Sequence, residues 1–324
     1  CRRHLSPARL VAAARMLGLT EEQTVAAAGI SGSSHFTLGG VVAGHLTNMK
    51  NTADPMATEA GVVAALLAQD FPRAQFELIF VDNGSHDGSP DILARYPEIR
   101  LLREPERGSY AARNLGLRHA RGDLLAFTDS DCFPAPGWLT AIDRAFRAGS
   151  AQVLLGPRLP VAGSRAAHLL ADYDNHRAEF ICAAGDPAIM YGYTNNMAVR
   201  RAAMDRFGPF ERRMRGADTL FLRRVVEGRS CAAVAYCPDM VVRHAELGSV
   251  AGYYRKAQIY SRSHAAFRPA ETVRPLSLRQ RLRVFRQAAG KHRRLSDSIL
   301  LLALLLGGSI AWWWGGRRGA GAAD

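Results

Sequence analysis

Apolar residues along the middle of the chain fall into two patterns, one with the period of a strand and one with that of a helix. Phe76-Glu77-Leu78-Ile79-Phe80-Val81 is a nearly continuous apolar run, as expected of a strand buried on both faces of a parallel sheet. Before it, Val62 to Gln69 reads as a helix that stops ahead of Pro72. After it, Asp82-Asn83-Gly84-Ser85 turns, and Ser89-Pro90-Asp91 offers an N-cap with proline at the first helical position. A short strand fits Ile99 to Leu102, and a helix fits Tyr110 to His119, ended by Gly122. A second buried strand fits Leu124 to Thr128. This alternation predicts an α/β fold with a mostly parallel sheet, right-handed crossovers and flanking helices.

The rest of the chain is less regular. Ala166 to Phe180 and Thr219 to Glu227 read as helices, and Ala232 to Tyr236 and Met240 to Val242 as short strands. Residues 1–40 are alanine-rich, with helical spacing at Leu10, Ala13, Met16 and Leu17 and a Ser31-Gly32-Ser33-Ser34 stretch. They read as an appendage or linker. Ile299 to Gly316 is apolar over the length of a membrane span, with Trp312-Trp313-Trp314 suited to the lipid–water boundary. A C-terminal core helix is the alternative, but the leucines are uninterrupted and no polar face interrupts them. Arg281, Arg283, Arg286, Lys291, Arg293 and Arg294 precede this segment, against Arg317 and Arg318 after it. That bias predicts a membrane-crossing or membrane-anchoring helix at 299–316, with the rest of the chain on the cytoplasmic face.

Composition narrows the class. An apolar share of 48% with 22% charged residues over 324 positions excludes a largely disordered chain. The formal charge of +13 comes almost wholly from arginine, lysine standing only at Lys50, Lys256 and Lys291. The densest basic run, Arg279 to Arg294, directly precedes the apolar segment, which favours anionic lipid over nucleic acid. No nucleic-acid-binding signature occurs, so no nucleic acid partner is expected. Cys1, Cys132, Cys182, Cys231 and Cys237 form no CxxC pair and read as reduced thiols, although a Cys231–Cys237 bridge is conceivable.

The most informative chemistry is Asp129-Ser130-Asp131, at the end of the strand Leu124 to Thr128. Residues two apart on an extended chain project to one face, so both carboxylates should enter the crevice beyond the strand's carboxyl end. Two carboxylates suit Mg2+ or Mn2+, which fill their remaining positions with water and substrate phosphates. Such an ion neutralises charge on a departing diphosphate. After the strand ending at Val81, the glycines of Asp82-Asn83-Gly84-Ser85-His86-Asp87-Gly88-Ser89 allow a close approach to a ligand. Asp82 could accept from the N3–H of a uracil-like ring.

These segments together resemble the family-2 glycosyltransferases of GT-A fold. The resemblance runs from about Val62 to Ser249. Val81-Asp82-Asn83-Gly84-Ser85, Ala112-Arg113-Asn114-Leu115-Gly116 and Phe127-Thr128-Asp129-Ser130-Asp131-Cys132 carry its first half. Gly137-Trp138-Leu139, the stretch Thr194 to Arg201, and Gly216-Ala217-Asp218 carry its second. The resemblance implies a Rossmann-like GT-A domain, placed at 41–265; the charge and apolar patterns add the basic juxtamembrane region at 266–298 and the membrane-associated helix at 299–316. The resemblance further implies that Asp82 contacts the base, with Arg113 and Asn114 near the nucleotide. Asp129 would meet the ribose or the metal, Asp131 and His244 would hold Mn2+ or Mg2+, and Asp218 would be the catalytic base.

The implied reaction is inverting transfer of a sugar from a UDP-, GDP- or dTDP-sugar to an acceptor hydroxyl. The membrane segment points to a lipid-linked acceptor in polysaccharide assembly. This sequence departs from the family in two places. Val41-Val42-Ala43-Gly44-His45 is a poor match for the usual first strand, and Ala217 stands where many members carry glutamate. No Gln-x-x-Arg-Trp follows His244, which favours single-sugar transfer. A sugar-phosphate nucleotidyltransferase would ordinarily show an N-terminal glycine-rich loop, and none is convincing. A degenerate, non-catalytic nucleotide-binding protein at the membrane is the other alternative.

Overall fold

The computed structural model describes residues 55–86, 89–213, 215–264, 273–292 and 294–320. The expected appendage at 1–40, the weak first-strand match at Val41–His45, and Asp87 and Gly88 of the turn lie outside the described residues.

The first part of the chain follows the apolar runs. Helix α1 (Pro55–Leu67) leads to β1 (Leu78–Asp82), α2 (Ser89–Leu93), β2 (Ile99–Arg103), α3 (Ser109–His119) and β3 (Leu124–Thr128). There follow β4 (Cys132–Pro134), α4 (Trp138–Ala148), β5 (Val153–Leu155), β6 (Arg158–Pro160) and α5 (Arg165–Ala183). The last part comprises β7 (Asn196–Arg200), α6 (Arg201–Phe207), α7 (Ala217–Gly228), β8 (Val234–Tyr236), β9 (Val242–His244), α8 (Val250–His264), α9 (Leu278–Lys291) and α10 (Leu295–Ala320).

Pairing among the described strands is mixed, which corrects the mostly parallel sheet. β1 and β2 run parallel, as do β5 with β8 and β6 with β9. β3 with β7, β5 with β7 and β4 with β9 run antiparallel. The cause is β7, which enters β3–β7–β5–β8 against the direction of both neighbours. Glu77 joins the start of β1 to the approach of β3, accepting from Arg121 N at 2.6 Å and Gly122 N at 3.2 Å.

Alternation along the central strands sets the layers. Val153 and Leu155 of β5, with Met197 and Val199 of β7, face a core shared with Leu169 of α5 and Phe221 of α7. Leu154 and Ala198, pointing the other way, meet Val62 and Leu66 of α1 and Trp138, Ile142 and Phe146 of α4. Helices therefore cover both faces of the sheet. α9 belongs to the same body. Its Val284 and Ala288 are buried in the first core, and Lys291 Nζ meets Asp172 Oδ1 of α5 at 2.6 Å.

α10 runs beyond the expected 299–316 at both ends. One stripe of it, Asp297, Leu301, Leu304 and Ala311, is buried at spacings of three, four and seven, the stripe of a packed helix. The stripe rests on α8, where Tyr254 donates to Leu304 O at 2.9 Å. The glycines belong to this contact, since a Cβ at Gly307 would meet the Tyr254 hydroxyl at 2.5 Å and one at Gly315 the Gln258 carbonyl at 2.6 Å. Ile299, Leu302, Leu306, Ile310 and Trp312–Trp314 remain exposed. The helix is long and apolar enough to cross a membrane.

Candidate active site

The carboxyl end of β3 leads straight into β4, and β4 pairs with β9. In that register Cys132 stands opposite His244. Asp131, immediately before, brings its Oδ2 to 3.6 Å from His244 Nδ1. Asp131, Cys132 and His244 are all buried, and one ligand atom from each lies within 4.8 Å of the others. Cys132 Sγ donates to Asp131 Oδ1 at 3.7 Å, which orients the carboxylate. Sequence reasoning missed Cys132 here, because its place depends on strand register.

Asp129 stands two residues before Asp131. It is not part of that three-residue group; its Oδ1 accepts from Arg113 Nη2 at 2.5 Å. Arg113 reaches it from α3, and the Arg113 guanidinium also lies 5.2 Å from the centre of the Tyr110 ring, one helical turn earlier. Burial disfavours the Arg113 charge, but Asp129, Tyr110 and Asp218 outweigh that and keep it firmly protonated.

Asp218 also interacts electrostatically with Arg113. The expected helix start at Thr219 moves upstream: α7 begins at Ala217, and Gly216 precedes it at φ 79°, a left-handed conformation that favours glycine. Asp218 is thus inside the first turn, and its Oδ1 accepts from Thr219 N at 2.9 Å. Burial pushes its carboxyl above the ordinary range. Arg113, the N–H of Thr219, the Tyr110 hydroxyl and the N–H of Thr194 pull the other way without cancelling it. A carboxyl tuned upward in a cleft is a candidate proton acceptor. Ala217 is fully buried in the core, so a glutamate there would have no solvent.

The remaining candidates brace the site. Asp82 is buried and Oδ1 accepts from Ser85 N at 2.9 Å, closing the turn after β1. Asn114 donates to Phe210 O at 2.8 Å and accepts from Phe210 N at 3.0 Å, so both ends of its amide hold a backbone 96 residues away. Asn196 likewise accepts from Trp138 Nε1 and donates to Pro157 O and Met240 O. Two buried oxygens beside the site, Thr128 Oγ1 and Asn195 Oδ1, have no hydrogen-bond partner among the described residues. Buried polar atoms are nearly always paired, so these mark a place for a ligand or its water.

An α/β core flanked by helices, with acidic residues at the carboxyl end of β3, is the arrangement of the GT-A fold. In overall fold the chain is similar to a mannosyltransferase from Pyrobaculum calidifontis solved with GDP-Man and Mn2+. The TM-score is 0.51 at 19% identity, covering 94% of this chain and 99% of that one. Residues 60–208 match the family model for glycosyl transferase family 2. The chain is 42% identical over 80 residues to glycosyltransferase AglE of Haloferax volcanii, covering 23% of this chain and 26% of that protein. It is 29% identical over 215 residues to the pre-mycofactocin glycosyltransferase of Mycobacterium tuberculosis, covering 61% of this chain and 44% of that protein. Over residues 60–208 the chain is similar to the family-2 glycosyltransferases. It spans less than half the length of either relative. Residues 3–75 match a second model, the MmgE/PrpD N-terminal domain. The family-2 match thus begins only after Val41–His45.

Proposed function

We propose that this chain transfers a sugar, with inversion, from a nucleotide-sugar donor to an acceptor hydroxyl at a membrane surface. The observation that carries the reading is the buried Asp131–His244 pair, 3.6 Å apart where β4 starts and β9 ends, close after Asp129 and its partner Arg113. A carboxylate with an imidazole fits Mn2+ or Mg2+, while the thiol of Cys132 serves better to orient Asp131 than to bind either ion. When bound, the ion supplies positive charge for the leaving diphosphate. Arg113 holds Asp129 in place for the ribose or the ion. Asp218 takes the proton of the attacking hydroxyl, and its raised basicity suits that task.

The donor is a UDP-, GDP- or dTDP-sugar. The protein should hydrolyse one member of a nucleotide-sugar panel slowly in the presence of Mn2+, with no acceptor added. Complete inertness toward all three bases would favour a non-catalytic nucleotide-binding role.

Membrane association rests on the exposed face of α10 and the arginines of α9. α10 lies along α8, whose Arg255 and Arg262 are exposed. If both helices crossed a bilayer, those cations would enter hydrocarbon at a cost of about 2.5–3.5 kcal/mol each. An orientation in the plane of the interface avoids that cost and places the Trp312–Trp314 belt and the α9 arginines at the lipid headgroups. Truncation is a poor test, because Leu301 belongs to the core. A triple exchange of Leu302, Leu306 and Ile310 to glutamate should abolish pelleting with phosphatidylglycerol vesicles and leave the melting temperature unchanged. Wild-type protein that stays in the supernatant at low salt would defeat the proposal.

A further inference from the structure

A second collection of charge lies beyond Tyr193, and neither the metal pair nor the base makes use of it. Arg158 begins β6, and its guanidinium carbon is 3.9 Å from the Tyr193 ring centre. Arg177 of α5 stands 5.2 Å from the ring centre of Tyr191. Between them lies Asp174, which accepts from the Tyr253 hydroxyl of α8 at 3.4 Å. Arg158 and Arg177 both act on that one carboxylate, two guanidinium groups to one acid. Burial nevertheless raises the Asp174 carboxyl above its ordinary range, which weakens it further as a counter-ion.

One donor in this cluster has no acceptor among the described residues: Arg158 Nε is buried without a hydrogen-bond partner there. Leaving such a charged donor unpaired costs more than leaving a neutral one unpaired. Arginine presents a flat fork of N–H groups matched to phosphate oxygens, and the tyrosine faces hold both forks in fixed planes. The cluster thus has the chemistry of an anion subsite built for a phosphate.

Its position names the bearer. Tyr193 is followed by Thr194, whose N–H meets Asp218, and a Cβ at Gly192 would approach the Asp218 carbonyl to 3.0 Å. β6 continues from Arg158 to Pro160, which is in register with His244. In the opposite direction Tyr253 reaches α10, where a Cβ on Gly308 would lie 3.6 Å from its ring. The arginines therefore stand between the proposed base and the lipid-facing helix. We propose that Arg158 and Arg177 form a subsite for a phosphate group carried by the acceptor, which enters from the membrane side. Only the word acceptor rests on the glycosyl-transfer reading; phosphate binding stands without it.

The test uses full-length protein in detergent and two probes, decyl phosphate in EDTA and UDP with Mn2+, each followed by calorimetry. Decyl phosphate should bind the wild type, and Arg158→Gln and Arg177→Gln should each weaken it about tenfold or more, since charge-assisted hydrogen bonds are the strong ones. UDP with Mn2+ should bind both variants as it binds the wild type. Arg158→Lys and Arg177→Lys keep the charge without the fork and should lose affinity to a smaller extent, which guards against a misfolded glutamine variant. No binding of decyl phosphate to the wild type would overturn the subsite, as would equal binding by decyl maltoside. Loss of UDP binding with decyl phosphate unaffected would assign the arginines to the donor and overturn the acceptor role. Failure of donor hydrolysis would defeat the transferase reading alone, because the phosphate titration is independent of it.

Discussion

Asp131→Asn should lose transfer almost completely and with it the Mn2+ dependence of nucleotide binding. The carboxylate is 3% exposed and His244 is 2% exposed, so water cannot replace a lost ligand freely. An amide keeps the size of the side chain but not its charge, and hard divalent cations select charged oxygen ligands. Charge stabilisation by a bound ion contributes several kcal/mol at the transition state, which at 1.36 kcal/mol per decade is about a hundredfold in rate or more. Calorimetry with UDP and Mn2+ separates this from a folding defect. The variant should show little metal-dependent heat while melting near the wild-type temperature. Unchanged heat and unchanged turnover would remove Asp131 from the metal site.

The sequence revealed those features whose signal is local. β1 and β3 were legible because each opens with four apolar residues in a row ahead of a turn, and β3 matches its expected bounds of Leu124 and Thr128. β4, β5 and β6 are three residues each, too short for any period to show, and β5 is buried at every position. Only tertiary pairing makes them strands, which is also why the reversed direction of β7 could not be read.

The site divides in the same way. Asp131 and His244 were named from motifs, and strand register brings them together. The spacing of Asp129 from Asp131 gave no sign that Arg113 would claim it. Tyr110 offered a usable signal, since it precedes Arg113 by three residues on one helix and so shares its face. Arg158, Arg177 and Tyr253 converge from β6, α5 and α8, with nothing local to join them. α9 reads as a basic segment, yet Val284 and Ala288 at i and i+4 dock it on the core, a stripe too narrow to stand out among the arginines.

Asp218→Asn is expected to separate catalysis from stability. A purely structural Asp218 would serve the first turn of α7, where its carboxylate accepts from Thr219 N, and asparagine could keep that bond. Its folded carboxyl is raised by burial above the unfolded value, so the charged form is the one the fold disfavours. A raised carboxyl contributes stability only at low pH, and that contribution is lost as pH rises through the folded value. At neutral pH the charge is therefore a burden, and the neutral amide should leave the melting temperature equal or slightly higher. Catalysis should move in the opposite direction. An amide cannot accept the acceptor's proton, and general base catalysis contributes on the order of 100- to 10,000-fold. That share of kcat should vanish while donor affinity stays near wild type, the signature of an interaction made only in the transition state. In the wild type the acid limb of kcat should lie above the ordinary carboxylate range and be absent from the variant. Glu211 is the neighbouring alternative, half exposed and held by Arg224 Nη1 at 2.9 Å. Near-normal kcat in Asp218→Asn with an established acceptor would shift the search to Glu211, and a large fall in melting temperature would reduce Asp218 to a structural residue.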